Sequence, residues 1–174
     1  MSKTIRICGV QSQYLDYLRN IDPLVSHDPT HRRKFIGVVL EVNGHHYCAP
    51  LSSPKPKHRR ISNKALDVIK MDDGKLGVIN LNNMIPVPDS AIIHIDISTY
   101  PDEQYKNLLM NQMRFIRSNE DLIKKKAKRL YQVVNSEKQT KLNERCCKFL
   151  LLEDAALSYH VQAISTTEVA ATKE

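Results

Sequence analysis

The residues best suited to chemistry lie in one short segment, residues 50–60, which we call the strap. It carries two adjacent hydroxyls, Ser52 and Ser53, followed by Lys55 and a run of further cations. Two prolines alternate with the lysines, fix their own φ near −65° and hold the preceding residues extended. Because a stiff segment loses little entropy on binding, the strap is predicted to present its hydroxyls and cations already positioned.

Such a set suits a phosphodiester. Its cleavage needs hydroxyls or amides to hold the non-bridging oxygens, a cation to stabilise the pentacovalent charge, and a group that moves protons. In RNA the nucleophile can be the substrate's own 2′-hydroxyl, so neither a metal nor a covalent enzyme intermediate is required. A solvated basic loop has the same residue types, and composition alone leaves both interpretations open.

A second group of candidates, His31 and Arg33, lies just before a β-prone run that starts at Phe35. Antiparallel pairing about Asn43-Gly44 places Phe35 roughly opposite residues 50–52 of the strap. A histidine with a pKa near 6.5 can act as acid or base, and an arginine can clamp a phosphate with two hydrogen bonds. His31 is otherwise an ordinary exposed histidine in a proline-containing loop over residues 22–33.

The elements that must position these groups begin with a hairpin. Residues 35–42 and 45–51 are rich in β-branched residues and flank Asn43-Gly44, the pair typical of a type I′ turn. A second hairpin is predicted over residues 68–81 around an Asp-Asp-Gly-Lys turn, and a further strand over residues 91–97, with Pro86 and Pro88 between them.

Helices account for most of the remainder. A strand over residues 5–9 precedes a short helix that begins near a possible Ser12 cap. After Pro101 the apolar period changes to 3.6, which predicts two helices over residues 103–134 and an acidic third helix over residues 149–159. The fold class is α+β, a mostly antiparallel sheet decorated with helices that are mainly C-terminal. We expect one domain over residues 1–164 and a flexible tail over residues 165–174.

The basic charge is unevenly distributed. The chain of 174 residues has a net charge of +7. Residues 31–75 hold ten basic and four acidic side chains, and residues 106–148 hold twelve and four, whereas residues 76–105 contain no Lys or Arg. Either block can be a solvated face, but two together favour RNA or DNA as a partner.

Several other classes of protein are disfavoured. There is no apolar run long enough for a membrane span or a signal peptide. The four cysteines do not form a disulfide framework, so a cytoplasmic location is expected. The histidines, cysteines and acids lack metal-ligand spacing, and the five glycines form no phosphate-binding loop, so no cofactor is predicted.

At this point several blocks resemble a known family. They are Asp-Pro-Thr at residues 28–30, Ala-Pro-Leu-Ser-Ser-Pro-Lys at residues 49–55, Ile-Asn-Leu-x-x-Met-Ile-Pro at residues 79–86, and Tyr-Lys-x-Leu-Leu-x-x-Gln-Met-x-Phe-Ile-Arg at residues 105–117. Together they are similar to the ToxN/AbiQ family, the protein toxins of type III toxin–antitoxin systems, which also defend bacteria against phage by abortive infection. The similarity extends from near the N-terminus to about residue 152.

The resemblance implies a sequence-specific endoribonuclease with a compact, twisted, barrel-like antiparallel core of the MazF/Kid/CcdB kind. It implies metal-independent cleavage by the 2′-hydroxyl, which leaves a 2′,3′-cyclic phosphate and a 5′-hydroxyl. It also implies a partner, a repeated pseudoknot antitoxin RNA that the toxin processes and that inhibits it in a closed assembly of two or three toxins with as many RNAs.

The resemblance also transfers roles to individual residues. The family serine falls on Ser53, expected to position and polarise the scissile phosphate and the 2′-hydroxyl. The preceding hydroxyl falls on Ser52, and the lysine after the proline falls on Lys55, expected to stabilise transition-state charge. The family's loop tyrosine and lysine fall on His31 and Arg33, which depart from the pattern. His31 is assigned to proton transfer or base contact and Arg33 to clamping a phosphate.

The remaining cations are expected to follow the RNA backbone. They lie on the strap and on the predicted helices: Lys57, His58, Arg59, Arg60, Arg114, Arg117, Lys124, Lys125 and Lys128. Two alternatives stay open. A non-catalytic RNA- or DNA-binding module has the same charge blocks, and a hydrolase with Ser53 as nucleophile and Lys55 as base has the same residues without an oxyanion loop.

Overall fold

A computed structural model describes residues 3–136, 138 and 141–159 of the chain. The predicted tail over residues 165–174 and the end of the predicted domain over residues 1–164 lie outside these residues. Within the described part no helix is long and apolar enough to cross a membrane.

A seven-stranded antiparallel sheet forms the centre of the described chain. The strands are β1 (Arg6–Val10), β2 (Phe35–Val42), β3 (His45–Ser52), β4 (Val68–Lys70), β5 (Val78–Asn80), β6 (Ile85–Pro86) and β7 (Ile92–His94). Their order is β4-β5-β3-β2-β1-β7, with β6 paired to β3. The two long strands of the predicted hairpin are therefore neighbours in the middle of the sheet.

The β2–β3 hairpin confirms the type I′ prediction, since Asn43 and Gly44 both have positive φ, 51° and 77°. Its register is not uniform. Val42 pairs with His45 next to the turn, but a shift between Gly37 and Leu40 leaves Phe35 opposite Pro50. Because of this shift, β3 extends beyond the first residue of β2. Ser52 and the rest of the strap therefore project past the edge of the sheet at which the loop before Phe35 ends.

The helices lie at the positions that the apolar period predicts. They are α1 (Ser12–Ile21), α2 (Glu103–Ser118), α3 (Glu120–Val134) and the short α4 (Lys141–Arg145), which was not predicted; residues 149–159 are also helical. Asp102 caps α2 through its carboxylate, which accepts hydrogen bonds from the backbone N–H groups of Gln104 and Tyr105. The described residues thus form the expected α+β architecture.

Apolar side chains from both layers form one core. Tyr14, Phe35, Tyr47 and Phe149 are among its largest fully buried members, together with aliphatic side chains of the sheet and helices. All four cysteines are buried free thiols. One strand prediction was too long, because β7 ends at His94 and the chain then turns at residues 97–99. One predicted connection was wrong, because Pro86 lies within the short strand β6 rather than between strands.

Candidate active site

A cleft of about 820 Å³ opens at the end of the hairpin where β2 begins and β3 ends. Three segments form its walls: the loop over residues 27–34, the end of β3 with the first part of the strap, and the start of α2 with the residues before it. All five predicted catalytic residues line it: His31, Arg33, Ser52, Ser53 and Lys55.

The two serines occupy different environments on the strap side. Ser52 is half-buried, and its Oγ accepts a hydrogen bond from Nδ2 of Asn80 at 2.8 Å. Asn80 also lies 3.4 Å from the carbonyl oxygen of Pro50, so β5 holds the end of β3 in place. Ser53, one residue further, is exposed. Its hydroxyl therefore faces solvent from a backbone that is fixed on both sides.

Gly77 packs directly beneath the serines. A Cβ at this position would lie 1.9 Å from the carbonyl oxygen of Ser52, and the residue has a φ of +93°, which favours glycine. The segment is held from below by the buried side chain of Gln112, whose Nε2 donates to the carbonyl of Leu76 at 2.8 Å. The backbone of the strap at Ser52 therefore packs directly against the backbone of Gly77, with no side chain between them.

The strap is extended only as far as Lys55. Residues Pro56–Arg60 form a 3₁₀ turn, and His58 within it is buried. Nδ1 of His58 accepts a hydrogen bond from the backbone N–H of Lys55 at 3.2 Å. Burial lowers the pKa of His58, and the charges of Lys55 and Lys57 lower it further. The prediction of His58 as an RNA-binding residue is therefore corrected: it closes the turn that carries Lys55.

Asp28 organises the loop on the opposite wall. Its two carboxylate oxygens accept hydrogen bonds from the backbone N–H groups of Arg32 and Arg33 at 3.0 and 3.1 Å. Nε of Arg33 donates to the carbonyl of His27 at 3.3 Å. The loop therefore has a fixed conformation that directs cationic side chains to the cleft.

His31 lies at the tip of this loop in a left-handed conformation, with φ of 56°. Its ring nitrogen Nδ1 is hydrogen-bonded to the hydroxyl of Ser12, the first residue of α1. The sequence predicted Ser12 as a helix cap, but the residue preceding α1 is Gln11 and it makes no capping bond through its side chain. The hydroxyl of Ser12 instead forms a hydrogen bond with the ring of His31 in the loop.

An aromatic pair forms the third wall. The rings of Tyr100 and Tyr105 meet edge to face, 5.3 Å apart. The ammonium of Lys34 lies 5.2 Å and 5.9 Å from the two ring centroids and donates to the carbonyl of Arg32 at 2.8 Å. Burial raises the pKa of Tyr105, so its phenol stays protonated at neutral pH. This wall offers apolar ring surface beside fixed positive charge.

The charge balance of the cleft is positive. Arg32, Arg33, Lys34 and Lys55 face two carboxylates, Asp28 and Asp102. Both carboxylates accept hydrogen bonds from backbone N–H groups of the segments that form the walls of the cleft. The ammonium of Lys55, by contrast, has no carboxylate within 4 Å among the described residues. An anionic ligand would complete this arrangement.

The helical cations predicted to bind RNA lie away from the cleft. Lys124 pairs with Glu120 at 2.7 Å, and it borders a shallow groove against β2 together with Lys128. Nη1 of Arg114 donates to Asn111 at 3.1 Å, and Arg117 borders a separate hollow between α2 and α3. The structure therefore brings the catalytic candidates together and leaves the helical cations on other faces.

In the part of the chain that the structure describes, no group of three or more His, Cys, Asp or Glu side chains is placed to hold an ion. Nδ1 of His46 lies 3.4 Å from Asp89, which is paired with Lys3 rather than with a second acid.

Sequence reasoning missed several residues of this site. Ser12 was taken for a cap, and Lys34, Tyr100 and Tyr105 received no role at the cleft. Asn80 belongs to a quoted motif, Ile-Asn-Leu, and an asparagine in a short strand is unusual enough to have drawn notice. Nothing local marks Ser12, since its partner is 19 residues away.

Comparisons with known proteins agree with one another. The chain matches the profile of the toxin ToxN family of the type III toxin–antitoxin system over residues 6–157. It is 36% identical to the endoribonuclease ToxN of Pectobacterium atrosepticum over 168 residues, which are 91% of this chain and 96% of that protein. It is 28% identical to the endoribonuclease AbiQ of Lactococcus lactis, over 90% of each chain.

Solved structures give the same result. A structure that describes selective toxin inhibition by a non-coding RNA pseudoknot superposes with a TM-score of 0.79 at 32% identity and covers 91% of this chain and 99% of the other. The structure of AbiQ, an anti-phage endoribonuclease, superposes with a TM-score of 0.80 at 27% identity and the same coverage.

Proposed function

This chain belongs to the ToxN toxin family of type III toxin–antitoxin systems, and from that membership we propose that its cleft is the active site at which it cleaves RNA. It is an endoribonuclease. The observation that supports the location is the convergence of hydroxyls, cations and one histidine from two separate segments on a single cleft.

The reaction needs only groups that the RNA and the cleft supply. The 2′-oxygen attacks the adjacent phosphorus, an O2′–P bond forms, and the P–O5′ bond breaks. The 2′-hydroxyl gives up one proton and the leaving 5′-oxygen gains one, so the products are a 2′,3′-cyclic phosphate and a 5′-hydroxyl. No step requires a metal or an oxidant.

We assign the roles by position. Ser53 is exposed at the end of a fixed strand, where its hydroxyl holds the scissile phosphate and the 2′-hydroxyl, and Ser52 supports it through Asn80. Lys55, which forms no salt bridge among the described residues, supplies positive charge to the transition state, and Arg33 clamps a non-bridging oxygen. His31 transfers a proton or contacts a base.

The RNA leaves the cleft along the strap, where Lys57, Arg59 and Arg60 are exposed. Arg114, Arg117, Lys124, Lys125 and Lys128 would serve more distant phosphates, as an RNA longer than the cleft requires. Each phosphate contact contributes to a linear loss of affinity with the logarithm of salt concentration.

The partner that we propose is a repeated pseudoknot RNA, which inhibits the enzyme, is processed by it and joins it in a closed assembly. One similar structure describes toxin inhibition by such a pseudoknot, and another describes a processed non-coding RNA that regulates an antiviral system. A MazF/Kid/CcdB-like barrel for the sheet and a cytoplasmic location, which the four free thiols suit, complete the proposal.

The test is incubation of the purified protein with mixed RNA, with and without EDTA, followed by mapping of the cut ends. We expect EDTA-resistant cuts with 2′,3′-cyclic phosphate ends that disappear in Ser53→Ala. The matched control is Ser62→Ala, an exposed serine outside the cleft, which keeps full activity. Intact RNA bound in a salt-dependent manner would contradict catalysis and support the alternative, a non-catalytic RNA-binding module.

A further inference from the structure

His31 is held in its conformation by more than one restraint. Its φ of 56° lies in the left-handed region, which is costly for a residue with a side chain. The backbone N–H of His31 points back to the carbonyl of Asp28, and the carboxylate of Asp28 fixes the two residues that follow. Strain of this kind persists where the surroundings impose it, and it concentrates at functional sites.

The hydroxyl of Ser12 restrains the side chain of the same residue. It contacts Nδ1 of the His31 ring, which leaves Nε2 as the nitrogen available to a ligand in the cleft. Ser12 is the first residue of α1, so its own position is fixed by a helix whose apolar face is buried. A loop side chain is thereby anchored to a rigid element.

A serine hydroxyl suits a histidine that changes its protonation state. It donates a hydrogen bond to Nδ1 of the neutral ring and accepts one from Nδ1–H of the charged ring. The ring therefore keeps its orientation in both states. A carboxylate partner would favour the charged form, and a carbonyl partner would fix a single tautomer.

We propose that Ser12 is a positioning residue for catalysis: it holds His31 so that Nε2 exchanges a proton with the scissile ribose-phosphate. This inference rests on the proposed function, and it decides between the two roles left open for His31. In the step, Nε2 either accepts the 2′-hydroxyl proton or delivers one to the 5′-oxygen, and Ser12 itself gains and loses nothing.

The first arm of the test does not depend on activity. Nitrogen NMR of the histidine rings, with the His31 signals assigned by their loss in His31→Asn, reports the hydrogen bond at Nδ1. In Ser12→Ala we expect the Nδ1 resonance to move towards the value of a free imidazole acceptor. In Ser12→Thr, which restores a hydroxyl, it stays near the wild-type value.

The second arm measures cleavage of a short RNA under single-turnover and steady-state conditions. We expect Ser12→Ala to lower kcat about tenfold with an unchanged KM, and Ser12→Thr to recover most of the rate. Ser118→Ala, at the exposed end of α2, is the matched control and changes neither constant. In the His31→Asn background, Ser12→Ala produces no further loss, because the two residues act as one unit.

The outcomes are separable. An unchanged Nδ1 resonance in Ser12→Ala overturns the pairing whether or not the protein cleaves RNA. A shifted resonance with an unchanged kcat, or a raised KM alone, overturns the proton-transfer role and leaves a structural contact. An absence of cleavage by the wild-type protein refutes the proposed function and, with it, the catalytic part of this inference, while the resonance still decides the pairing.

Discussion

At its turn, the β2–β3 hairpin buries a carboxylate among hydrogen-bond donors, whereas at its open end it leaves hydroxyls and cations facing solvent. Glu153 is 6% exposed, and its Oε1 accepts hydrogen bonds from the phenols of Tyr47 and Tyr131 at 2.6 and 2.8 Å. Its Oε2 lies 3.4 Å from Nδ2 of Asn43 in the turn. The turn end is thus tied to the helix over residues 149–159.

Electrostatics separate the two ends further. At the turn, burial and the hydrogen bond to Glu153 raise the pKa of Tyr47 far above its usual range and that of Tyr131 to about 12. These phenols remain donors at any physiological pH. At the cleft, Lys55 and Ser53 are exposed and His31 is strained. Polar groups that satisfy one another stabilise the fold, and polar groups held apart remain available to a substrate.

The strongest test of this division is Lys55→Ala. If Lys55 stabilises transition-state charge, kcat for RNA cleavage falls about 100-fold or more, while the free energy of unfolding stays within about 0.5 kcal/mol. Lys57→Ala, two residues further along the strap, is the matched control and raises KM with little change in kcat. Rate and denaturation measurements on the same samples check both. A Lys55→Ala enzyme that loses stability but not rate would reverse the comparison.

The same change, glycine to alanine, can be made at both ends of the hairpin, at Gly77 beside the cleft and at Gly44 in the turn. In Gly77→Ala the added methyl collides with the carbonyl of Ser52, so we expect a loss of about 3 kcal/mol or more and displacement of the strap, with cleavage largely abolished. In Gly44→Ala the positive φ is similar but nothing lies within 4 Å of the new Cβ, so only the strain of about 1–2 kcal/mol remains.

Thermal denaturation and cleavage assays of the two variants, carried out below their melting temperatures, distinguish these outcomes. Equal losses of stability in the two variants would mean that the contact with Ser52 relaxes freely. In that case the strap is not held by the backbone beneath it.

Removal of the buried carboxylate of Glu153 should lower stability and leave the cleavage rate unchanged, which is the opposite of the result expected for Lys55→Ala. Glu153→Ala leaves the buried phenol of Tyr47 and the half-buried phenol of Tyr131 without this acceptor, which costs about 2–3 kcal/mol. Glu153→Gln keeps an acceptor oxygen and loses less. Cleavage at temperatures where both variants are folded stays at the wild-type rate, because the network lies at the far end of the hairpin from the cleft. A fall in kcat without unfolding would show that the two ends are coupled.

The same division explains what the sequence could predict. The hairpin follows from local rules, since Asn43-Gly44 requires positive φ and the flanking runs are β-prone. The approach of His31 to the strap also followed from counting residues across that turn. The bulge between Gly37 and Leu40 was not predictable, because no residue type announces it, and it moves the partner of Phe35 by two residues.

Long-range polar contacts could not be predicted from the sequence for the same reason, since no residue type announces them. Ser12 meets His31, and Glu153 meets Tyr47 over 106 residues, without any pattern in the intervening chain. His58 was predicted to bind RNA because it stands among cations, yet the 3₁₀ turn places it inside. Periodicity reports which face of an element is buried, but not which polar groups will satisfy each other there.

His58 gives the smallest expected effect and the finest test, because it is a buried, hydrogen-bonded group at the otherwise open end. Its folded pKa lies below the ordinary value of 6.5, at which the unfolded chain titrates. Below pH 6.5 the unfolded state therefore binds more protons, and the free energy of unfolding falls as the pH decreases. We expect His58→Asn, which keeps an acceptor for the N–H of Lys55, to make the loss of stability between pH 7.5 and 5 smaller than in the wild type. His45→Asn, beside the turn, is the matched control, and urea denaturation at the two pH values measures the difference. Parallel pH dependences in wild type and His58→Asn would mean that His58 takes up its proton within the folded strap. His58 would then not be held in one protonation state by its surroundings, as the phenols at the turn are, and the two ends of the hairpin would differ in this respect as well.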